Sequence, residues 1–226
     1  MRRHGGCLAG ARNTLTQFVT VTAGLYLGEN VLEDSIYGNH RDAMIDVMNI
    51  IMGSVDELRA NMTEEYGSDP VEHCLARIKS EESMREKCRR QCIPETTQSA
   101  LEVIHDAIGI RVVCAFISDV YRVRDHLKAM DKVEVVEEKD YIKHAKPNGY
   151  RSLHLILKYD NKYYVEIQLR TISMDTWAAL EHHIHYKKEA SEQDKLIIAE
   201  QKRCADELAS TDMSMQTIRD MIRNDL

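Results

Sequence analysis

Residues 140–171 read DYIKHAKPNGYRSLHLILKYDNKYYVEIQLRT, two strand patterns with a glycine turn before them and a polar turn between them. Pro147-Asn148-Gly149 is turn chemistry, because proline fixes φ while asparagine and glycine tolerate positive φ. From Leu153 to Tyr159, Leu153, Leu155 and Leu157 alternate with His154, Ile156 and Lys158, the period of a strand. Asp160-Asn161 turns the chain, and it returns from Tyr163 to Arg170 with Val165, Ile167 and Leu169 on one face. Tyr164, Glu166, Gln168 and Arg170 take the other. Taken alone, this hairpin is equally a half-buried pair of strands with a solvated outer face. Its company supports a second reading. A carboxylate flanked by an amide and an arginine, beside His154, Tyr150 and lysines, is chemistry for a phosphorylated ligand with a metal ion.

Upstream of the hairpin, His40 to Tyr66 is helical, with Met44, Met48, Ile51, Val55, Leu58 and Met62 as a packing stripe. Gly67-Ser68-Asp69-Pro70 breaks it. A short strand follows, with Cys74, Ala76 and Ile78 on one side and Leu75, Arg77 and Lys79 on the other, so two cations project together. Ser80 is the expected N-cap of a helix with Glu81 and Glu82 in its first turn. That helix carries Ser83, Lys87 and Arg90 on one face and is expected to end at Pro94. If the face looks toward Arg77 and Lys79, four cations form a cradle for a polyphosphate; otherwise it is a solvated helix surface. The run from Gly109 to Phe116 is the most apolar strand and is expected to be central. Asp106, just before it, is a turn former or a second metal carboxylate beside Glu166. Ser118-Asp119 is expected to cap a helix to about Met130, and Lys132 to Val136 to form another strand.

Downstream, Ile172 to Lys188 is helical, with Trp177, Leu180, Ile184 and Lys187 spaced for one face. His182, His183 and His185 invite a zinc reading but are not expected to form a zinc set, because adjacent histidines diverge on a helix and no cysteine lies at ligand spacing. Ser191 to Leu226 reads as one or two helices whose apolar stripe packs on the domain or assembles subunits.

The length, 226 residues, fits a compact domain with helical extensions, divided as 1–39, 40–190 and 191–226. Residues 1–39 show no sharp period. Their basic start resembles a signal segment only until Arg12, Asn13 and Gln17 interrupt it. A net charge of −7 argues against a general nucleic-acid binder but leaves room for a local basic cleft. Cys7, Cys74, Cys88, Cys92, Cys114 and Cys204 form no short-spaced framework, so a reducing cytoplasm is the expected setting. No stretch approaches the ~20 apolar residues of a membrane span.

With Lys146-Pro147-Asn148-Gly149-Tyr150-Arg151-Ser152-Leu153-His154, Val165-Glu166-Ile167-Gln168-Leu169-Arg170-Thr171, and Met174-Asp175 through Trp177-Ala178 to Glu181-His182 in this order, the chain resembles the synthetase domain of the RelA/SpoT family. The match reaches back through Arg77-Ile78-Lys79-Ser80, Ser83, Lys87, Asp106 and Gly109-Ile110-Arg111. It covers about half the chain and is far more specific than a lone motif. One departure is Asp106-Ala107-Ile108-Gly109, where the family usually has Asp-Ile-Ala-Gly. The length is that of a single-domain small alarmone synthetase, without the hydrolase or regulatory domains of the long forms.

The resemblance implies an α+β fold, a mixed β-sheet of the nucleotidyltransferase type flanked by helices. It implies a GTP diphosphokinase of the stringent response, which moves the β,γ-pyrophosphoryl group of ATP to the 3′-hydroxyl of GDP or GTP, releases AMP and makes (p)ppGpp. By position in the family pattern, Arg77, Lys79, Ser83, Lys87, Arg90 and Arg111 belong to the ATP site, and Asp106 and Glu166 hold Mg²⁺. Glu166 would accept the proton of the attacking hydroxyl. Tyr150 would stack on the acceptor guanine, Lys143, Lys146 and His154 would meet its phosphates, and Gln168 would support the site. A homotetramer is implied, and a nucleic-acid or membrane partner is not expected. Two other readings remain: a toxic-branch enzyme that modifies adenine nucleotides or tRNA ends, and an idle nucleotide-binding module.

Overall fold

The computed structural model describes residues 35–184 and 192–224. The expectations for residues 1–34, His185, Lys187 and Lys188 lie outside them. After a short 3-10 turn at Gly38–His40 come helix α1 (Arg41–Tyr66), strand β1 (Val71–Ile78) and helix α2 (Glu81–Arg90). Strand β2 (Ile108–Cys114), helix α3 (Ile117–Lys128) and strands β3 (Val133–Asp140), β4 (Leu153–Tyr159) and β5 (Tyr163–Thr171) follow. Helices α4 (Ile172–His183) and α5 (Glu192–Asn224) complete the order. The five strands form one mixed sheet, β1-β2-β5-β4-β3, in which only β2 and β5 run parallel.

The hairpin forms as its alternation requires. Leu153, Leu155, Leu157, Val165, Ile167 and Leu169 are all fully buried, and Asp160 and Asn161 both sit at positive φ, 49° and 53°, the backbone that a tight hairpin turn uses. Residues of α1 and α3, with Ile108, Ile110 and Val112, join them in one apolar core. On α1, Met44, Met48, Ile51, Val55 and Met62 are buried and Leu58 packs against them, so the expected stripe is the packing face. The opposite face of the sheet, which carries the polar alternates of β4 and β5, is left for the site.

The structure departs from the sequence reading at several elements. The middle strand is β5, with β2 beside it as an interior strand one place off centre. Strand β3 runs on to Asp140, through an irregularity between Val135 and Glu137. Helix α2 ends at Arg90, and Cys92, at φ 56°, turns the chain before Pro94 is reached. The N-cap position of α3 is Phe116, which makes no side-chain cap bond. Asp119 is turned inward instead, where Arg122 and Arg219 hold its carboxylate. On α4, Trp177 is buried, whereas Leu180 and Ile184 are exposed at 59% and 48%. Helix α5 lies against α4 and α3 as one element.

Candidate active site

One end of the cleft is built where β1 ends, α2 begins and β2 starts. Ser80 caps α2 by accepting from the Ser83 N–H at 3.3 Å, which turns the helix back past the end of β1. Lys79 Nζ then lies 2.6 Å and Lys87 Nζ 2.5 Å from the same oxygen, Asp106 Oδ2. Asp106 lies two residues before β2, where Lys79 N–H donates to Ala107 O at 2.8 Å and holds the strand ends together. Burial pushes the Asp106 carboxyl up, but the two ammonium groups outweigh it and hold it below the usual aspartate range. Asp106 Oδ1 is buried and accepts no hydrogen bond among the described residues.

Arg77 pairs in register with Gly109, and Arg111 with Gln168. Arg111 reaches Asp175 at 3.4 Å. Burial, then the neighbouring Arg170 cation, lowers its pKa. Ser83 hydrogen-bonds to Ser80 at 2.9 Å. Arg90 stands exposed in the last turn of α2. Thus Lys79 and Lys87 converge on Asp106, while Arg90 does not join them.

Glu166 faces out of the middle strand, opposite Gly109 on β2 and Ile156 on β4. His154 Nδ1 lies 3.7 Å from its Oε1, an ion-pair rather than a hydrogen-bond separation. His154 is the largest influence holding the Glu166 carboxyl low; burial and the Asp106 charge push the other way. Two carboxylates that feel each other's charge, one with an orphaned buried oxygen, suit a hard divalent cation whose remaining oxygens come from a substrate. Among the described residues no group of three or more His, Cys, Asp and Glu offers a self-sufficient metal site.

The other end is the turn before β4. Gly149, at φ +93°, closes that turn with its N–H on Lys146 O at 2.8 Å, and Asn148 Oδ1 accepts from Tyr150 N–H at 3.2 Å. This lays Tyr150 beside β4 and β5. Its hydroxyl is 2.8 Å from His154 Nε2 and 2.9 Å from Arg170 Nη2. Lys146 Nζ sits 4.9 Å from the Tyr150 ring centre and 4.6 Å from that of Tyr141. Lys143 turns the other way, to Asp140 at 3.5 Å and the Tyr121 ring at 5.1 Å. Gln168 accepts from Arg170 at 3.0 Å.

For two of these side chains the sequence says less than the structure: Arg170 only as the arginine flanking Glu166 and Gln168 on the polar face, and Asp175 within a motif but with no role. The structure joins them at 2.9 Å. Alternation marks the face of Arg170, but nothing in the sequence pairs it with the first turn of α4.

A family model described as "Region found in RelA / SpoT proteins" matches residues 76–191. The GTP pyrophosphokinase YwaC of Bacillus subtilis is 43% identical over 152 residues, 62% of this chain and 72% of that protein. A second B. subtilis GTP pyrophosphokinase, YjbM, is 33% identical over 180 residues, 74% of this chain and 83% of that one. The crystal structure of B. subtilis small alarmone synthetase 1 bound to its product pppGpp superposes with a TM-score of 0.66 at 30% identity, covering 81% of this chain and 94% of the other. The matched residues run from β1 past α4 and so contain both carboxylates, both converging lysines and the Tyr150 turn, and the mixed sheet is shared with the solved structure; the chain belongs to the RelA/SpoT family.

Proposed function

We infer that this chain is a GTP pyrophosphokinase, which transfers the β,γ-pyrophosphoryl group of ATP to the 3′-hydroxyl of GDP or GTP and makes (p)ppGpp. The observation that carries the reading is the arrangement on one face of the sheet. Asp106 with Lys79 and Lys87 lies at one end, Glu166 in the middle, and Tyr150 with His154 and Lys146 at the other. Such a transfer needs alignment and charge neutralisation more than covalent chemistry.

ATP would lie along the cations, with Lys79, Lys87 and Arg77 on its phosphates and Arg111 toward its base. Mg²⁺, held by Asp106 and Glu166, would neutralise phosphate charge as the transfer proceeds. Asp106 would offer the ion its Oδ1, and Lys79 and Lys87, gathered at Oδ2, would stand ready for the ATP phosphates. Tyr150 offers the flat face for the acceptor base and Lys146 the charge for its phosphates. Glu166, kept ionised by His154, takes the proton of the 3′-hydroxyl. The new bond joins that oxygen to the β-phosphorus, the bond from the β-phosphorus to the bridging oxygen breaks, and AMP leaves with that oxygen. Assembly of several copies is part of the same reading.

The test is incubation with Mg²⁺, γ-labelled ATP and GDP, GTP, AMP or tRNA in turn, with the labelled products resolved. Label on guanosine tetra- or pentaphosphate with AMP released is the expected result. Label on an adenine nucleotide or tRNA assigns the chain to the toxic branch, and no transfer to any acceptor leaves an idle binding module.

A further inference from the structure

Arg170 is 5% exposed at the end of the middle strand, paired in register with Val113 of β2. A buried guanidinium costs stability unless its donors are used, and an apolar side chain of similar volume would serve the core as well or better. Here Nη1 donates to Asp175 at 2.9 Å, and Nη2 donates to Gln168 Oε1 at 3.0 Å and to the Tyr150 hydroxyl at 2.9 Å. Nε is buried and makes no hydrogen bond among the described residues. Both partners other than Tyr150 come from regular elements, Gln168 from β5 and Asp175 from the first turn of α4. The guanidinium is therefore fixed before it meets the phenol, whereas Tyr150 belongs to a turn.

An aromatic ring on a turn keeps freedom about two side-chain torsions unless its far end is tied. The hydroxyl of Tyr150 is that far end, held by Arg170 and by His154. The ring is bordered by Trp177 and Tyr141 edge-on, at 6.3 and 6.2 Å between centres. We propose that Arg170 is a positioning residue of the acceptor site, which clamps the Tyr150 hydroxyl to the rigid middle strand and so fixes the plane on which the acceptor base stacks. The cost of ordering that plane is then met in the folded chain instead of at binding. The inference rests on Tyr150 being the acceptor platform, as in the proposed activity. It adds that the hydroxyl, which a stacking platform does not itself require, is needed for affinity.

The experiment is calorimetric titration of the full chain with GDP and with a non-hydrolysable ATP analogue, alongside steady-state KM values for GDP and ATP. The variants are Arg170→Met, Arg170→Lys, Tyr150→Phe and the double Arg170→Met/Tyr150→Phe. Tyr150→Phe keeps the ring and the fold but removes the clamped oxygen, and is expected to weaken GDP binding about tenfold, with the ATP analogue changed by less than about twofold. Arg170→Met is expected to match it, Arg170→Lys to recover part of the loss, and the double variant to be no worse than the poorer single, because both cut one interaction. Wild-type GDP affinity in Tyr150→Phe, equal losses for both nucleotides, or multiplying losses in the double variant would each overturn the clamp, even if Arg170→Met failed to fold. Wild-type protein that binds GDP yet transfers nothing would sink the proposed activity alone, and failure of the wild type to bind GDP would sink both.

Discussion

Asp106 and Glu166 divide two tasks that the same functional group can perform. Asp106 is tied to two ammonium groups and keeps one buried oxygen in reserve, while Glu166 faces a histidine. Asp106→Asn and Glu166→Gln each keep volume and remove charge, so each is expected to lower kcat about a thousandfold while circular dichroism stays near wild type. Tm is expected to hold in Glu166→Gln and to fall in Asp106→Asn, which leaves Lys79 and Lys87 without their shared carboxylate. Near-normal turnover in either would end the metal assignment. The lysines make a separate prediction about stability. With Lys79→Met or Lys87→Met alone, Asp106 retains one cation; with both, a largely buried carboxylate is left unpaired. The double variant is therefore expected to lose more stability than the two singles together, by about 2 kcal/mol in a denaturant titration. These four residues were legible in the sequence because each has its own local signal. Lys79 follows a strand, Lys87 lies on a capped helix face, Asp106 precedes an apolar strand and Glu166 interrupts an apolar alternation. The clamp of Arg170 had no such signal, since alternation gives the face of a side chain but not which turn of another element it meets.

At the scale of elements, α5 and the Gly149–Tyr150 turn are one unit. A Cβ on Gly149 would come within 2.5 Å of the Ala205 Cβ and 3.1 Å of the Lys202 Cα, at a φ of +93° that side chains avoid. Arg151, on the other side of Tyr150, donates to Ala205 O and pairs with Asp206 at 2.9 Å. Gly149→Ala must therefore push α5 away or distort the turn. The expected cost is about 2 kcal/mol, read as a Tm lower by about 4–8 °C, together with weaker GDP binding. Unchanged Tm would mean that α5 does not sit on the turn. Further along, Asp212 is buried and accepts from Thr171 Oγ1, which itself caps α4. Burial pushes its carboxyl up, and the bonds from Thr171 and Ser173 only partly offset this. A folded pKa above the unfolded one means that the folded state holds the proton more tightly. Stability from this group then falls as pH rises from about 4, the ordinary aspartate value, through the raised value, and the penalty is complete above it. Asp212→Asn keeps an acceptor for Thr171 without the charge, so its Tm is expected to exceed wild type near neutral pH, with the gap closing toward about pH 4. A gap that widens on acidification would reverse the assignment. The sequence shows α5 as an apolar stripe but not what it touches: Ala205 and Leu208 pack with Trp177, Ala178 and Tyr150, and its other attachments are polar and pairwise, fixed by no local pattern. Trp177 donates to Gln201 O, Arg151 pairs with Asp206, and Arg219 with Asp119.

The whole molecule carries the consequence of those polar attachments. In its last turns α5 presents Asp212, Gln216, Arg219 and Arg223 to the domain, through Thr171, the Ser118 N–H, the Asp119 carboxylate and the Tyr66 ring. The outward side carries Met215, Ile218, Met221 and Ile222, exposed at 49%, 49%, 62% and 58%. A helix whose only partner were its own domain would be turned the other way, apolar side inward. An exposed apolar stripe of this kind is the usual mark of an interface, and between identical chains a two-fold axis lets the stripe cover itself. The small-synthetase resemblance points to four copies. Light scattering on the full chain at micromolar concentration is expected to give a multiple of the chain mass. The pair Ile218→Asp and Met221→Asp is expected to reduce that mass, because burying a carboxylate against Met and Ile without a partner costs several kcal/mol. The same pair should leave the Tm of the dissociated chain intact, since neither residue packs inward. A wild-type chain that runs as a single copy would remove the stripe as an assembly surface, and the inverted orientation of the last turns of α5 would then need a different partner.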